Sequence, residues 1–282
     1  MVASSGPKDY NSLGWVSKVY PIFEKNLPHT AHNWARKRFF SPLKFRFSKR
    51  EIAFLATGET NYCSLNGKKI SYYAWGKGPT VFMMHGWAGK AAQFELIVKT
   101  FVQNGYQVIA PDAPAHGNST GKESSAFEFV SLLKLLRSNY PNIVGYIGHS
   151  LGGLVLMNLL SEQIDLKKTV IINSPTEGAY VMNSFLNILG ASSKTASFIK
   201  NYIKEKLDRD FDQLFQPRVN SELSKQALVI HDKKDKQVGI ETIEFTKQIL
   251  PEATYEFTEG YGHVRILFQQ EIAKKCLNWI SS

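Results

Sequence analysis

From Pro79 onward, short apolar runs alternate with longer stretches whose apolar positions recur every three or four residues. Runs at 80–84, 106–110, 143–147, 169–172, 227–231 and 254–257 are predicted strands, and 91–103, 124–138, 151–160, 241–250 and 264–280 predicted helices. Upstream, apolar residues at 62–65 and 70–75 flank Asn66-Gly67, the strongest short hairpin signal. The rhythm breaks between 176 and 223, where only helical stretches (180–189, 196–207) occur. Strands alternating with helices imply a mostly parallel sheet covered on both faces. The interruption is expected to be a helical cap inserted between two strands.

Composition narrows this picture without changing it. A chain of 282 residues, 43% hydrophobic, suits one large α/β domain with an insertion. The uncharged stretch 142–160 approaches the length of a membrane span, yet it carries Gly145, Gly148, His149, Ser150, Gly152 and Gly153. A buried strand turning into a buried helix accounts for it better. Cys63 and Cys276 are too few and too far apart for a disulfide framework, so a reducing compartment is comfortable. Residues 1–20 lack a continuous apolar core, and no secretory signal is expected.

The net charge of +10 is uneven: residues 1–58 hold ten Lys and Arg against three Asp and Glu. The expected organisation is a basic N-terminal arm (1–58), a body (59–175 and 224–282) and a cap (176–223). In the arm, Arg36-Lys37-Arg38-Phe39-Phe40 and the run from Lys44 to Arg50 interleave cations with aromatics. Packing of the arm on the body, including an edge strand at 43–47, is the first expectation. Contact with an anionic membrane surface is the second, and nucleic acid is a poor third. A cytoplasmic protein is expected, with a place at the membrane periphery as the alternative.

In open parallel sheets the ligand sits beyond the carboxyl ends of the strands. There the sequence places His85-Gly86-Trp87, the segment from Asp112 to Ser119, Gly148-His149-Ser150-Leu151-Gly152, Asp235 and His263. Gly148 and Gly152 make a G-x-S-x-G pattern at a strand-to-helix junction, where small residues allow the turn that lifts a serine hydroxyl above the sheet. A serine hydroxyl is a weak nucleophile and needs a base, for which His263 is the candidate. The imidazole in turn needs an orienting carboxylate, for which Asp235 is the candidate and Asp232 its alternative.

The order Ser150, Asp235, His263 on successive strand ends resembles the α/β-hydrolase superfamily, over about residues 68 to 280. His85-Gly86-Trp87 is similar to that superfamily's oxyanion segment, and the likeness implies that the backbone N–H groups of Trp87 and Leu151 bind a developing oxyanion. Asp112 to Ser119 resembles a structural turn of the same superfamily, with Ala115 where glycine is usual and His116 hydrogen-bonded rather than catalytic. His231-Asp232 stands where relatives often have His-Gly.

The likeness implies a serine hydrolase of carboxylesterase or lipase type, acting on small-molecule esters of small to medium acyl size through an acyl-enzyme. The same triad also suits an amide, peptide or thioester substrate, and a non-catalytic small-ligand binding protein is the reading from another class. A cap over Ser150 would form either an acyl pocket or only its own packing. No cofactor and no metal site is implied.

Overall fold

The computed structural model describes residues 14–211 and 219–282, so the first residues of the expected arm and the stretch 212–218 of the expected cap lie outside the described residues. Two compact units result, one built from residues up to Ser41 with Glu177–Gln216, the other from Pro42–Thr176 with Pro217–Ser282.

The larger unit holds an eight-stranded sheet: β1 Glu59–Leu65, β2 Lys68–Trp75, β3 Thr80–Met84, β4 Gln107–Pro111, β5 Ile143–His149, β6 Lys168–Ile172, β7 Ala227–Asp232 and β8 Thr254–Thr258. Their spatial order is β1-β2-β4-β3-β5-β6-β7-β8. β1 pairs antiparallel with β2, and β2 antiparallel with β4, while all later pairs are parallel. The hairpin closes with Leu65 opposite Lys68. Asn66 and Gly67 both adopt positive φ (50° and 73°), the two left-handed positions that a two-residue hairpin turn demands.

All residues of β3 and β7 are buried, as expected of parallel strands covered on both sides. Helices Glu95–Gln103 and Gln270–Ser281 bring Ile97, Phe101, Ile272, Cys276 and Ile280 onto one face of the sheet, against Val81, Met83, Val108, Ile147 and Val170. Ala126–Arg137 and Leu151–Ser161 are the other long helices between strands of this unit. β3 lies between β4 and β5, so the chain crosses from one side of β3 to the other at that point. A crevice therefore opens beyond the carboxyl ends of β3 and β5, where Met84 pairs with Gly148.

The expected boundary at 58 does not hold. Residues 42–58 belong to the sheet unit, where helix Lys49–Leu55 stacks Phe54 on Trp75 with ring centroids 5.0 Å apart. A capping box of Ser48 and Glu51 starts that helix. The expected edge strand at 43–47 is likewise corrected: the segment joins no ladder, and Leu43 and Phe45 are exposed.

The smaller unit comprises helices α1 Val16–Asn26, α2 Pro28–Phe40, Gly178–Leu189 and Ser193–Leu207. Arm and cap, expected as separate pieces, are thus one packed body. Val16, Tyr20, Ala31, Ala35 and Leu189 form its core with Phe23, Trp34 and Phe185. Phe39 and Phe40 of the basic-aromatic cluster pack here, 5.1 Å from the Phe185 ring and 5.8 Å from the Tyr202 ring.

Glu24 ties the two chain segments together. Its carboxylate accepts from the Ser192 amide (3.0 Å), the Ser192 hydroxyl (2.6 Å) and the Thr195 hydroxyl (2.7 Å), with His32 Nε2 at 3.1 Å. Burial alone would raise its pKa, but the Ser192, Thr195 and His32 hydrogen bonds outweigh that and hold it at about 2. It also sits at the N-terminus of a 15-residue helix, where negative charge is favoured. The stabilisation is therefore present above the ordinary carboxylate range and lost as pH falls toward about 2. Glu24→Ala is expected to destabilise this unit by about 2 kcal/mol, read from urea unfolding at neutral pH, with the difference from wild type shrinking in acid. Equal stability at neutral pH would show that the linkage contributes nothing.

Candidate active site

Ser150 sits between β5 and the helix Leu151–Ser161 with φ 53° and ψ −124°, a conformation that side chains other than glycine rarely adopt. The surrounding glycines make the turn possible. A Cβ on Gly148 would lie 2.6 Å from the Gly152 carbonyl, and one on Gly152 would lie 2.1 Å from the Met84 carbonyl. The strained residue is held in place by its own backbone: its amide donates to the Ile172 carbonyl (2.9 Å), and its carbonyl accepts from the Ser174 hydroxyl (2.9 Å).

The hydroxyl of Ser150 lies 3.0 Å from Nε2 of His263. On the far side of the ring, Nδ1 donates to Asp235 Oδ2 at 2.6 Å. Asp235 Oδ1 accepts from the amides of Gln237 (2.8 Å) and Val238 (3.1 Å), so the carboxylate cannot rotate away. Burial pushes the Asp235 pKa up. The His263 hydrogen bond and charge, with those two amides, more than offset this and keep it below the ordinary carboxylate range. The structure brings Ser150, His263 and Asp235 into one hydrogen-bonded line.

Asp232 takes a different place. Oδ1 accepts from the amides of Lys234 (3.0 Å) and Gly260 (3.2 Å), and Oδ2 from the Thr258 hydroxyl (2.8 Å) and the Tyr261 amide (2.9 Å). It braces the loop that carries His263 instead of touching the ring.

His85-Gly86-Trp87 runs directly past the serine: a Cβ on Gly86 would lie 2.6 Å from Ser150 Cβ. Ala88 adopts φ 56°, and the Gly89 amide closes the turn on the Gly86 carbonyl at 3.0 Å. His85 accepts from the Ala113 amide through Nε2 (3.0 Å) and donates through Nδ1 to the Gly86 carbonyl (2.7 Å). Burial lowers its pKa to about 4, so the ring is a neutral strut between two loops. Leu151 opens its helix, so its N–H has no carbonyl one turn back to bond. The Trp87 ring packs against His116, with centroids 5.1 Å apart.

Asp112 is buried and accepts from the amides of Ala91 and Asn118, each at 2.8 Å, which fixes the turn that follows β4. Ala115 there has φ 63°, the physical reason why glycine would be at ease in that position. His116 donates through Nδ1 to the Pro114 carbonyl at 2.8 Å, and burial holds its pKa well below the ordinary imidazole value.

Two further residues were not singled out from the sequence. Nε2 of His149 donates to the His263 carbonyl at 2.8 Å. Nδ2 of Asn173 lies 3.2 Å from both the Gly262 and His263 carbonyls, while its Oδ1 accepts from the Asp232 amide at 2.8 Å. Burial, followed by the nearby His263 charge, lowers the His149 pKa to about 3, so it stays neutral. Asn173 follows β6 at φ 45°, which Asn tolerates better than most residues. Its position at a strand's carboxyl end was the one available signal.

Among the described residues no group of three or more His, Cys, Asp or Glu could hold a metal ion. No helix of the described residues is long and apolar enough to cross a membrane.

The sheet order, and the strained serine turn on the strand beside the crossover, place this protein among the α/β-hydrolases. Solved structures share that fold: a putative lipase from Acinetobacter baumannii superposes with a TM-score of 0.59 at 17% identity, covering 84% of this chain and 97% of that one. An esterase from Pyrococcus furiosus gives 0.57 at 23% identity, covering 86% and 97%. The sequence pattern of the serine aminopeptidase, S33, family matches residues 77–256, and the chain belongs to that family. Among curated proteins it is similar to pimeloyl-(acyl-carrier protein) methyl ester esterase of Vibrio campbellii, 29% identical over 90 residues, 32% of this chain and 34% of that protein. It is also similar to protein ABHD8 of Mus musculus, 26% identical over 225 residues, 66% of this chain and 51% of that protein. The chain thus spans between a third and a half of the length of these relatives.

Proposed function

We propose that the protein hydrolyses carboxylic esters of small to medium acyl size through a covalent acyl-enzyme. The observation that carries this reading is the line from Ser150 Oγ through the His263 imidazole to Asp235, 3.0 Å and 2.6 Å long. As Ser150 Oγ bonds to the ester carbonyl carbon, its proton passes to Nε2 of His263, and Asp235 stabilises the imidazolium. The carbonyl oxygen gains the negative charge and meets the N–H groups of Trp87 and Leu151, the latter at a helix N-terminus. Collapse of the tetrahedral adduct breaks the bond to the alcohol, which takes the proton from His263. Water then repeats the sequence on the acyl-serine and releases the acid.

The esterase name of the Vibrio relative supports an ester over an amide as substrate. A panel of p-nitrophenyl esters from acetate to palmitate, run beside matched anilides, tests the reading. The expected outcome is kcat/KM highest for acetyl to octanoyl esters and low for every anilide. Faster anilide cleavage would assign the triad to amides. Failure of a fluorophosphonate probe to label Ser150 would leave only a binding role.

Asn173 is expected to act by positioning. Asn173→Asp keeps the left-handed backbone and the acceptor for the Asp232 amide but loses both donors to the His263 loop. A displaced imidazole should lower kcat about 10²-fold with a smaller change in KM, measured on p-nitrophenyl acetate. An unchanged kcat would show that Asp232 and His149 fix that loop without Asn173.

A further inference from the structure

Helix α1 of the smaller unit carries apolar side chains on both of its faces. Val16, Tyr20 and Glu24 point inward and are buried. On the opposite side, Trp15, Val19 and Ile22, spaced as i, i+4 and i+7, are 64%, 51% and 64% exposed, and Leu27 just beyond the helix is 57% exposed. A surface helix ordinarily turns polar residues outward. Here the outward stripe is edged by Lys18 and Lys25, both exposed, and neither has an ion-pair partner among the described residues. Over residues 14–41 the charges are Lys18, Lys25, Arg36, Lys37 and Arg38 against the buried Glu24 alone.

Two occupants suit an exposed apolar stripe: a second copy of the chain or a lipid surface. The stripe decides against the first by size. The exposed parts of Trp15, Val19, Ile22 and Leu27 amount to on the order of 400 Å² of accessible surface. A standard protein interface buries about 800 Å² on each partner. A two-fold pairing would also set like charges against one another. A lipid surface has no such area threshold. Trp and branched aliphatic side chains enter the boundary between headgroups and acyl chains, and lysines reach outward to anionic headgroups.

We infer that the outward face of α1, formed by Trp15, Val19 and Ile22 and edged by Lys18 and Lys25, is a docking surface for an anionic membrane, with exposed Leu27 just beyond the helix end. The helix lies in the interface plane and does not cross it. This surface is distinct from the basic-aromatic run 36–40, whose Phe39 and Phe40 are spent on packing within the unit. Nor does it depend on the hydrolytic reading, since no residue of the serine site takes part.

Co-sedimentation of the full chain with vesicles tests the inference. With an equimolar mixture of phosphatidylglycerol and phosphatidylcholine the protein should pellet, and with phosphatidylcholine alone binding should fall at least tenfold. Salt at about 1 M, where screening shortens to about 3 Å, should erase the preference. Lys18→Gln with Lys25→Gln should weaken anionic binding about thirtyfold, at about fivefold per headgroup-facing lysine. Trp15→Ser with Ile22→Ser should weaken binding to both vesicle types. Both variants should retain wild-type circular dichroism and wild-type turnover of a water-soluble ester, and Ser150→Ala should pellet like wild type. Absence of pelleting, equal binding to neutral vesicles, or unchanged binding by the folded variants would overturn the inference. Dimerisation in sedimentation equilibrium that the Trp15→Ser, Ile22→Ser variant abolishes would assign the stripe to a second copy instead.

Discussion

Ser150→Ala is expected to lower kcat for p-nitrophenyl acetate about 10⁶-fold while leaving the fold unchanged. The alanine keeps the Cβ, so the backbone at φ 53° and its hydrogen bonds to Ile172 and Ser174 survive. What disappears is the oxygen that lies 3.0 Å from Nε2 of His263. Water cannot take over within the same site at comparable rate, because it lacks the fixed approach to the carbonyl carbon. Residual rate of about 10³ over the uncatalysed reaction would come from binding and the oxyanion donors alone. The measurement is a single-turnover assay with thermal unfolding run alongside. Turnover within tenfold of wild type would remove Ser150 from the mechanism.

The second expectation separates two aspartates that the sequence sets three positions apart. Asp235→Asn should lower kcat about 10⁴-fold, because an amide in place of the carboxylate favours the wrong imidazole tautomer and withdraws the charge that stabilises the imidazolium. Asp232→Asn should leave kcat within about tenfold of wild type in the folded fraction and destabilise the chain by about 3 kcal/mol. The amide has one oxygen where four donors converge, and it turns an NH₂ toward two of them. Both carboxylates are held below their ordinary range. For Asp232 burial opposes this and the Tyr261 amide and Thr258 hydroxyl prevail; for Asp235 burial opposes it and His263 prevails. Each therefore stabilises the native state at neutral pH, and that contribution fades as pH falls below the ordinary carboxylate range. Kinetics and urea unfolding of both variants decide the matter. A larger kcat loss in Asp232→Asn than in Asp235→Asn would reverse the two roles.

The middle of the sheet was legible because its strands are buried on both faces. Runs such as Thr80–Met84 and Ala227–Asp232 are nearly continuous in apolar residues, and Asn66-Gly67 announces its turn. Ser150, His263 and Asp235 were legible because each follows a strand whose end faces the same crevice. The arm was not. α2 carries two histidines, an asparagine and three cations, and its apolar positions become meaningful only beside Phe185 and Tyr202, about 150 residues away. Alternation at Leu43, Phe45 and Phe47 imitates a strand, yet no neighbouring strand meets it, so period two without a ladder misleads. The roles of His149 and Asn173 were hidden for another reason. Both side chains act on main-chain carbonyls of a distant loop, and such partners leave no trace in residue type.

The linkage through Glu24 also sets a schedule for biosynthesis. Its partner Ser192 lies 168 residues downstream. At about 5–20 residues per second, a ribosome needs on the order of ten to thirty seconds to make that segment after α1 has emerged. Throughout that interval the nascent N-terminal helices have neither the carboxylate's hydrogen-bond donors nor Leu189 to cover their apolar side. Translation speed between the codons of Glu24 and Ser192, and the supply of holdase chaperones during it, should therefore govern how much of the newly made chain reaches the native state.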